Sequence, residues 1–429
     1  MVAPMVETPW GNADVLRARK LRPGGASPEE ETTASQRERI FGAIVAAVAE
    51  KGYEGTTVAD ISEISGVSKS SYYEHFADKE SGVTAAVEAL LAPSLDFAAA
   101  NGIGRGEEEA RQGFELGIGL IASQAAAARL CLVDVYAAGP RAVALLEETV
   151  AGFADLLAGT FDRIEGREGM PGEIVRALIG GVQKVIYKRL LRGEEAQLID
   201  LAPGLWRWLL AVPPPPGPLR PSRVRAVKAL SFEDRQLPAA PPERLLRALA
   251  AVVSERGYQE AKIAEIVERA KTSRRTFYEY FDSKEDAMVA ALDSGSAQML
   301  AAALPAFRRG GDWPRAVRDT QRAMLHYAAE EPEYGRLGAV EMYGAGPRAL
   351  EQREMVTEGM EGLLQPGYEV APDVPPIAAE AVGGALYALL YDFVKAEGPE
   401  RLPALVPSFV YVTLAPFLGP EEAYAVATG

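Results

Sequence analysis

The sequence predicts an all-α fold built twice over, and three observations support this. Ile40, Ile44, Val45 and Val48 recur at helical spacing, as do Leu245, Leu246, Leu249 and Val253, so each set lines one face of a helix. No stretch shows the sustained apolar–polar alternation of a half-buried strand. The chain also repeats itself. Arg39–Glu80 aligns without a gap with Arg244–Glu285 at a constant offset of 205, and sixteen of the 42 pairs are identical. Further on, Tyr136-Ala137-Ala138-Gly139-Pro140-Arg141 recurs as Tyr343-Gly344-Ala345-Gly346-Pro347-Arg348 at an offset of 207, and Gly180-Gly181 is echoed by Gly383-Gly384. The chain therefore reads as a duplicated unit of about two hundred residues.

In chain order, residues 1–34, rich in Gly, Pro and acidic side chains, read as a flexible tail carrying a small cationic cluster of Arg17, Arg19, Lys20 and Arg22. Residues 35–92 form a small helical module and 93–212 a larger helical domain. Val212 is followed by Pro213-Pro214-Pro215-Pro216-Gly217-Pro218, which cannot continue a helix because proline lacks the amide donor and clashes with the preceding turn. Residues 213–240 thus read as a linker, first an extended polyproline spacer, then a basic connector with Arg220, Arg223, Arg225 and Lys228. The second small module spans 241–296 and its larger helical partner 297–429.

Composition narrows the functions. The 429 residues are 48% apolar and 24% charged, a globular profile. Two His and one Cys make a metal site, a disulfide framework or a Cys–His nucleophile poor candidates. Cys131 sits among Leu130, Leu132 and Val133 and reads as a buried thiol in a reducing cytoplasm. No leader-like segment and no run of about 18 apolar residues suited to a bilayer stands out, so no membrane partner is expected. Neither is a cofactor, and no phosphate loop or catalytic triad points to an enzyme. The net charge of −15 argues against indiscriminate binding to nucleic acid, though not against a local basic face.

Each small module opens with a helix ending at Gly52-Tyr53 or Gly257-Tyr258, where glycine suits a left-handed turn. A short helix follows, Thr57-Val58-Ala59-Asp60-Ile61 in the first module, with capping-box spacing between Thr57 and Asp60. Its counterpart, Lys262-Ile263-Ala264-Glu265-Ile266, lacks the capping hydroxyl. A tight turn at Ser65-Gly66-Val67 leads to another short helix opened by Ser68. This is helix-turn-helix spacing, whose second helix can enter a DNA major groove. Tyr72 and Phe76 point inward, as do Phe277 and Phe281, leaving Lys69, Ser70, Ser71, Tyr73 and His75 outward. Hydroxyls and amines of this kind reach base edges and phosphates. The helix after Asp78, like the one after Ser283, offers its N-terminus to a phosphate, with Lys79 or Lys284 adding charge.

The run Gly66-Val67-Ser68-Lys69-Ser70-Ser71-Tyr72-Tyr73-Glu74-His75-Phe76-Ala77-Asp78-Lys79-Glu80 resembles the DNA-binding signature of TetR/AcrR-family transcriptional regulators, and the second module carries the same signature. The resemblance implies two units, each a three-helix DNA-binding domain plus a helical ligand-binding and pairing domain. It also implies pairing through the last two long helices as a four-helix bundle and repression relieved by a small molecule; because one chain supplies both halves, the expected pairing is an intramolecular pseudo-dimer. Carried over by position, phosphate contacts fall on Thr57, Ser68, Tyr73, His75 and Lys79, and on Ser273, Tyr278, Tyr280 and Lys284. Base reading falls on Lys69, Ser70 and Ser71, and on Arg274, Arg275 and Thr276. The sequence departs from the pattern at the second turn, where Lys271-Thr272 replaces Gly66-Val67.

The repeated Tyr-x-x-Gly-Pro-Arg motif marks a helix break, either beside an effector pocket lined by Tyr136, Arg141, Tyr343 and Arg348 or as a turn with a packed tyrosine. An apolar pocket among helices would suit a lipophilic effector. The expected partners are thus a double-stranded DNA operator and a small lipophilic molecule. Because the two reading helices differ, the expected operator is asymmetric. Two alternatives stay open: a homodimer of tandem chains presenting four modules, and a ligand-binding or interaction scaffold that has lost specific DNA recognition.

Overall fold

The computed structural model describes residues 6–19, 29–219, 227–229, 232, 236–308 and 311–429. Among them there is helix and no strand. Compact packing divides the chain into one unit of residues 1–164 with 185–203 and another of 165–184 with 204–429. The division is not that of the sequence repeat: the second unit takes in part of the first repeat's late helices.

The first repeat runs α1 (Ala13–Ala18), α2 (Glu29–Gly55), α3 (Val58–Ser65), α4 (Lys69–His75), α5 (Lys79–Leu91), α6 (Ser94–Ala100), α7 (Glu107–Ser123), α8 (Ala125–Leu132), α9 (Pro140–Phe161), α10 (Gly172–Arg192) and α11 (Gln197–Ala211). In the first unit the expected helical faces close one core. Ile40, Ile44, Val45, Val48, Ile61, Tyr72 and Val83 are buried together with Leu130, Cys131 and Val135 from the larger domain. Burial pushes the Cys131 thiol up to about 12, so the sulfur is held as the unreactive thiol.

Within the expected tail, the described residues 6–19 are packed against the first module. Thr8 donates to the Gly11 carbonyl at 2.6 Å, the Trp10 ring packs on Phe41 at 5.5 Å, and Leu16 on α1 is fully buried. Isolated apolar residues among turn formers leave no periodicity to read, yet two of them suffice to anchor a short segment. Lys20 and Arg22 of the expected cationic cluster lie outside the described residues. Arg17 instead donates to the Glu63 carbonyl at 3.3 Å.

The second repeat runs α12 (Pro241–Arg256), α13 (Ile263–Arg269), α14 (Arg274–Tyr280), α15 (Lys284–Arg308), α16 (Trp313–Glu330), α17 (Pro332–Ala339), α18 (Pro347–Glu361), α19 (Gln365–Val370), α20 (Ala378–Glu397) and α21 (Val406–Thr428). In the second unit the two double glycines meet. A Cβ on Gly384 of α20 would lie 2.5 Å from the Lys184 Cβ and 2.9 Å from the Gly180 carbonyl oxygen of α10, so the helices cross in near backbone contact. Arg176 of α10 donates twice to Asp392 of α20, at 2.8 and 3.0 Å, the bidentate form that fixes geometry as well as charge. Trp206 and Trp208 of α11 are buried.

The start of the linker is not a free spacer either. The Tyr411 hydroxyl of α21 donates to the Pro213 carbonyl at 2.9 Å, and Leu219 is buried. Arg220, Arg223 and Arg225 lie outside the described residues. Three helices also correct the expectation about bilayer-length segments. Residues 79–100, 284–308 and 399–428 are long and apolar enough by composition to cross a membrane. In the first two, many alanines raise the mean hydropathy without forming an unbroken run of large apolar side chains. The last has 78% of its apolar window buried inside the protein, as a core helix does.

The first helix is interrupted at the expected glycine, Gly52 within α2 and Gly257 just after α12, but the glycine there is not in the left-handed helical region. Gly52 has φ 71° with ψ 168° and Gly257 φ 81° with ψ 153°, a region essentially reserved for glycine. The turn within the helix-turn-helix differs between modules. Gly66 takes φ 64° without cost. Lys271 takes φ 50° in its place, and the turn survives because Thr272 N–H reaches the Val267 carbonyl at 2.9 Å and Lys271 N–H the Glu268 carbonyl at 3.0 Å, the paired bonds of a Schellman motif. A side chain in this region costs on the order of 1 kcal/mol. Lys271→Gly is therefore expected to stabilise the second module by roughly 0.5–1 kcal/mol, read as slower hydrogen exchange in α13 and α14. Unchanged or faster exchange would show that Lys271 carries no strain.

Candidate nucleic-acid interface

The exposed face of α4 is set by its two ends. Ser68 caps it, accepting the Ser71 N–H at 3.1 Å. On the inner side Tyr72 is fully buried and its hydroxyl donates to the Asp78 carbonyl at 3.1 Å. Phe76 is also buried, its ring 5.4 Å from that of Tyr72. With those two fixed inward, helical geometry turns Lys69, Ser70 and Tyr73 to the solvent, where all three are exposed. Ser71 is half-buried. The Tyr73 ring stands edge-on to Tyr72 at 5.6 Å and remains 55% exposed, so its position is fixed while its hydroxyl stays accessible.

The second module repeats this geometry with different chemistry. Ser273 caps α14 through the Thr276 N–H at 3.1 Å, and Phe277 and Phe281 are buried. Arg274 and Arg275 are exposed beside Tyr278 and Tyr280, and Thr276 is half-buried. Arg275 pairs with Glu279 at 3.3 Å while its side chain is 91% exposed. A pair so open to water holds the guanidinium only weakly.

Other expected contacts are already engaged. Thr57 caps α3 as expected: its N–H and hydroxyl both reach Asp60 Oδ2, at 2.8 and 2.6 Å. Lys51 meets the same carboxylate, which together with Thr57 holds it far below the usual range. Lys262 keeps only half of that arrangement, its N–H on Glu265 at 3.4 Å. The Lys79 ammonium lies 4.1 Å over the Tyr53 ring and donates to the Tyr53 carbonyl at 2.9 Å. Lys284 is more committed, donating to the carbonyls of Tyr258, Gln259 and Ala261 at 2.7, 3.3 and 3.1 Å. Burial lowers its pKa. Both lysines thus tie the end of the first helix to the helix leaving the module. The N-terminus of α5 is likewise filled, with Asp78 and Ser81 capping each other at 2.7 and 3.1 Å.

His75 is half-buried and meets Gln36 Oε1 through Nε2 at 2.8 Å. Burial, then the Arg37 guanidinium, lowers its pKa. A histidine shifted in that direction costs the folded state stability as pH falls through the unfolded value of about 6.5 toward the lower folded one. Acidification from about pH 7.5 to 5.5 should therefore remove the His75 contribution to stability. The readout is a change in the difference in melting midpoint between the unmodified protein and a His75 variant, because the raised Asp134 works in the opposite direction over the same range. His75→Tyr, which copies Tyr280, should reduce that loss; an identical pH profile in circular dichroism would contradict it.

The Tyr-x-x-Gly-Pro-Arg motif proves to be a joint. Arg141 is 64% exposed, 3.9 Å from Glu148. Arg348 pairs with Asp286 of α15 at 3.2 Å, and the Tyr343 ring packs edge-on against Tyr391 at 5.5 Å. An apolar cavity of about 120 Å³ does lie in the second unit, among α15, α16, α17 and α20, but neither Tyr343 nor Arg348 lines it. Gly139 and Gly346 instead let the turn approach Glu80 and Glu285 at the start of the helix leaving each module. Two acidic residues in this joint carry no motif that singles them out in the sequence. Glu341 accepts the Tyr258 N–H at 3.1 Å and meets Arg336 at 3.3 Å. Asp134, at the matching position, meets Arg129 at 3.5 Å and is pushed up to about 6 by burial. The same offset of 207 relates both pairs, a signal the sequence does contain. In the first module Arg39, buried, donates to the Ser65 carbonyl at 3.0 and 2.6 Å and so braces the reading turn.

The family model for bacterial regulatory proteins of the tetR family matches the chain twice, at residues 40–82 and 245–291. Similar solved structures include the fatty acid degradation regulator FadR from Bacillus halodurans, with 17% identity over 42% of this chain and 96% of that one, TM-score 0.37. FadR from Bacillus subtilis, solved in complex with stearoyl-CoA, gives 18% identity over 40% and 96%, TM-score 0.36. The TetR-family regulator PfmR from Thermus thermophilus gives 20% over 42% and 96%, TM-score 0.34. No curated protein sequence matches the chain.

Proposed function

We propose, from a tetR-family model that matches once in each repeat, that this chain is a TetR-family regulator and a small-molecule-responsive repressor reading an asymmetric operator. The observation that carries this reading is chemical. Two reading helices on one polypeptide are each held by a serine cap and a buried aromatic pair at equivalent positions, yet one presents Lys69, Ser70 and Tyr73 and the other Arg274, Arg275 and Tyr278. Arginine favours the O6 and N7 acceptors of guanine, whereas lysine and serine are less selective. In this reading Ser68, Tyr73 and His75 hold phosphates beside Ser71 and Lys69, and Ser273, Tyr278 and Tyr280 do so beside Thr276. Lys79 and Lys284 act mainly by holding the module together.

The two halves pair within one chain, so that both modules meet one duplex about a helical turn apart. Linkage keeps their effective concentration high. An effector bound among the sensor helices acts by favouring a state whose reading helices are wrongly placed, and the joint at Glu341 and Gly346 is the contact through which the second sensor reaches its module. The protein works in the cytoplasm and without catalysis. Selection from a random DNA pool tests the reading. An operator with two unlike halves, each sensitive to changes in one module, is the expected result. A perfect palindrome equally sensitive to both modules would overturn it.

A further inference from the structure

The cavity of the second sensor has a second chamber. The larger space, about 120 Å³, is walled by apolar side chains that include Leu292, Met299, Met324, Leu386 and Phe409. A smaller one of about 30 Å³ adjoins it, sharing Gln321, Thr357, Gly383 and Leu386 and adding Glu361 and Thr413. Gln321 is 4% exposed and borders both. Its Nε2 donates to the Thr413 hydroxyl at 2.7 Å, and that hydroxyl donates to the Phe409 carbonyl at 2.8 Å. The Thr413 proton is therefore committed, which fixes the orientation of the amide. Gln321 Oε1 is left without a hydrogen-bond partner, a buried acceptor of the kind that calls for an explanation.

We propose that this acceptor is the polar subsite of the second sensor, and that its ligand is an unbranched apolar molecule ending in a neutral hydrogen-bond donor, a hydroxyl or an amide N–H. The apolar body fills the larger chamber and the donor enters the smaller one. The Glu361 carboxylate lines the same small chamber, its charge only partly offset by the Lys184 ammonium 3.8 Å away, and the Thr413 proton is already spent, so a neutral donor is favoured over an anionic head. The proposal rests on reading residues 297–429 as the effector-binding half.

Titration calorimetry of the full chain with 1-octanol, methyl octyl ether and octanoate tests it. Octanol is expected to bind about tenfold more tightly than the ether, because only octanol satisfies the buried acceptor, and octanoate more weakly than octanol. Gln321→Leu should erase the preference for octanol over the ether. Met299→Trp, at a half-buried position on the wall of the larger chamber, should abolish binding of both. Equal affinities in the unmodified protein, or octanoate binding most tightly, would overturn the proposal. Octanol binding with the expected preference while leaving operator affinity unchanged would uphold the subsite and overturn only the regulatory reading.

Discussion

Arg275→Ala is expected to weaken operator binding by roughly tenfold to a hundredfold, and Ser70→Ala by no more than about threefold. The two positions correspond in the repeat, so the comparison isolates side-chain chemistry from placement. Arg275 has five donors on a planar fork and only a solvent-exposed partner, Glu279 at 3.3 Å, to leave behind. Ser70 offers one hydroxyl. The surroundings push the same way. Residues 220–285 hold fourteen basic and ten acidic side chains, a net +4, whereas residues 1–80 hold nine and thirteen, a net −4. Phosphate affinity follows released counterions and hence local cations, so the second module should supply more of the binding free energy. Fluorescence titrations at two salt concentrations would check this, and equal losses for the two variants would contradict it.

The parts of this site that the sequence reveals are those set by neighbours along the chain. The caps at Thr57, Ser68 and Ser273 and the inward Tyr72, Phe76, Phe277 and Phe281 follow from spacings of three and four residues, and all take those places. Tertiary contacts are harder to read. In the sequence Lys284 is a free cation at a helix start. Its amine instead reaches carbonyls 23 to 26 residues earlier, a distance at which no periodicity registers. Tyr343 and Arg348 flank a helix break, but a break does not say which face of the next helix meets the cavity. The unpartnered oxygen of Gln321 depends on Thr413, 92 residues away, and has no local signature. The Arg129–Asp134 and Arg336–Glu341 pairs are legible through the repeat offset, yet the more conspicuous Gly-Pro-Arg beside them draws the eye first.

Gly384→Ala should be among the most damaging single-methyl changes available to this protein, although it touches no residue that faces DNA. The added Cβ would sit 2.5 Å from the Lys184 Cβ, 2.9 Å from the Gly180 carbonyl oxygen and 3.0 Å from the Gly181 Cα. Two of those three are backbone atoms of α10, so no rotamer change relieves the contact and the helices must move apart. Overpacking of this kind costs roughly 1–3 kcal/mol, against the roughly 0.5–1 kcal/mol that alanine ordinarily gains over glycine inside a helix. Gly119→Ala in α7 supplies the control, because nothing lies within 4 Å of its Cβ position; it should raise the melting midpoint where Gly384→Ala lowers it. The pairing hypothesis adds a second consequence. If the crossing of α10 and α20 is what holds the two modules for one duplex, Gly384→Ala should weaken binding to the full operator while leaving the weak binding to an isolated half-site unchanged. A variant that melts lower yet binds the full operator as tightly as before would separate the crossing from DNA reading, and would leave the linker alone to hold the modules in register.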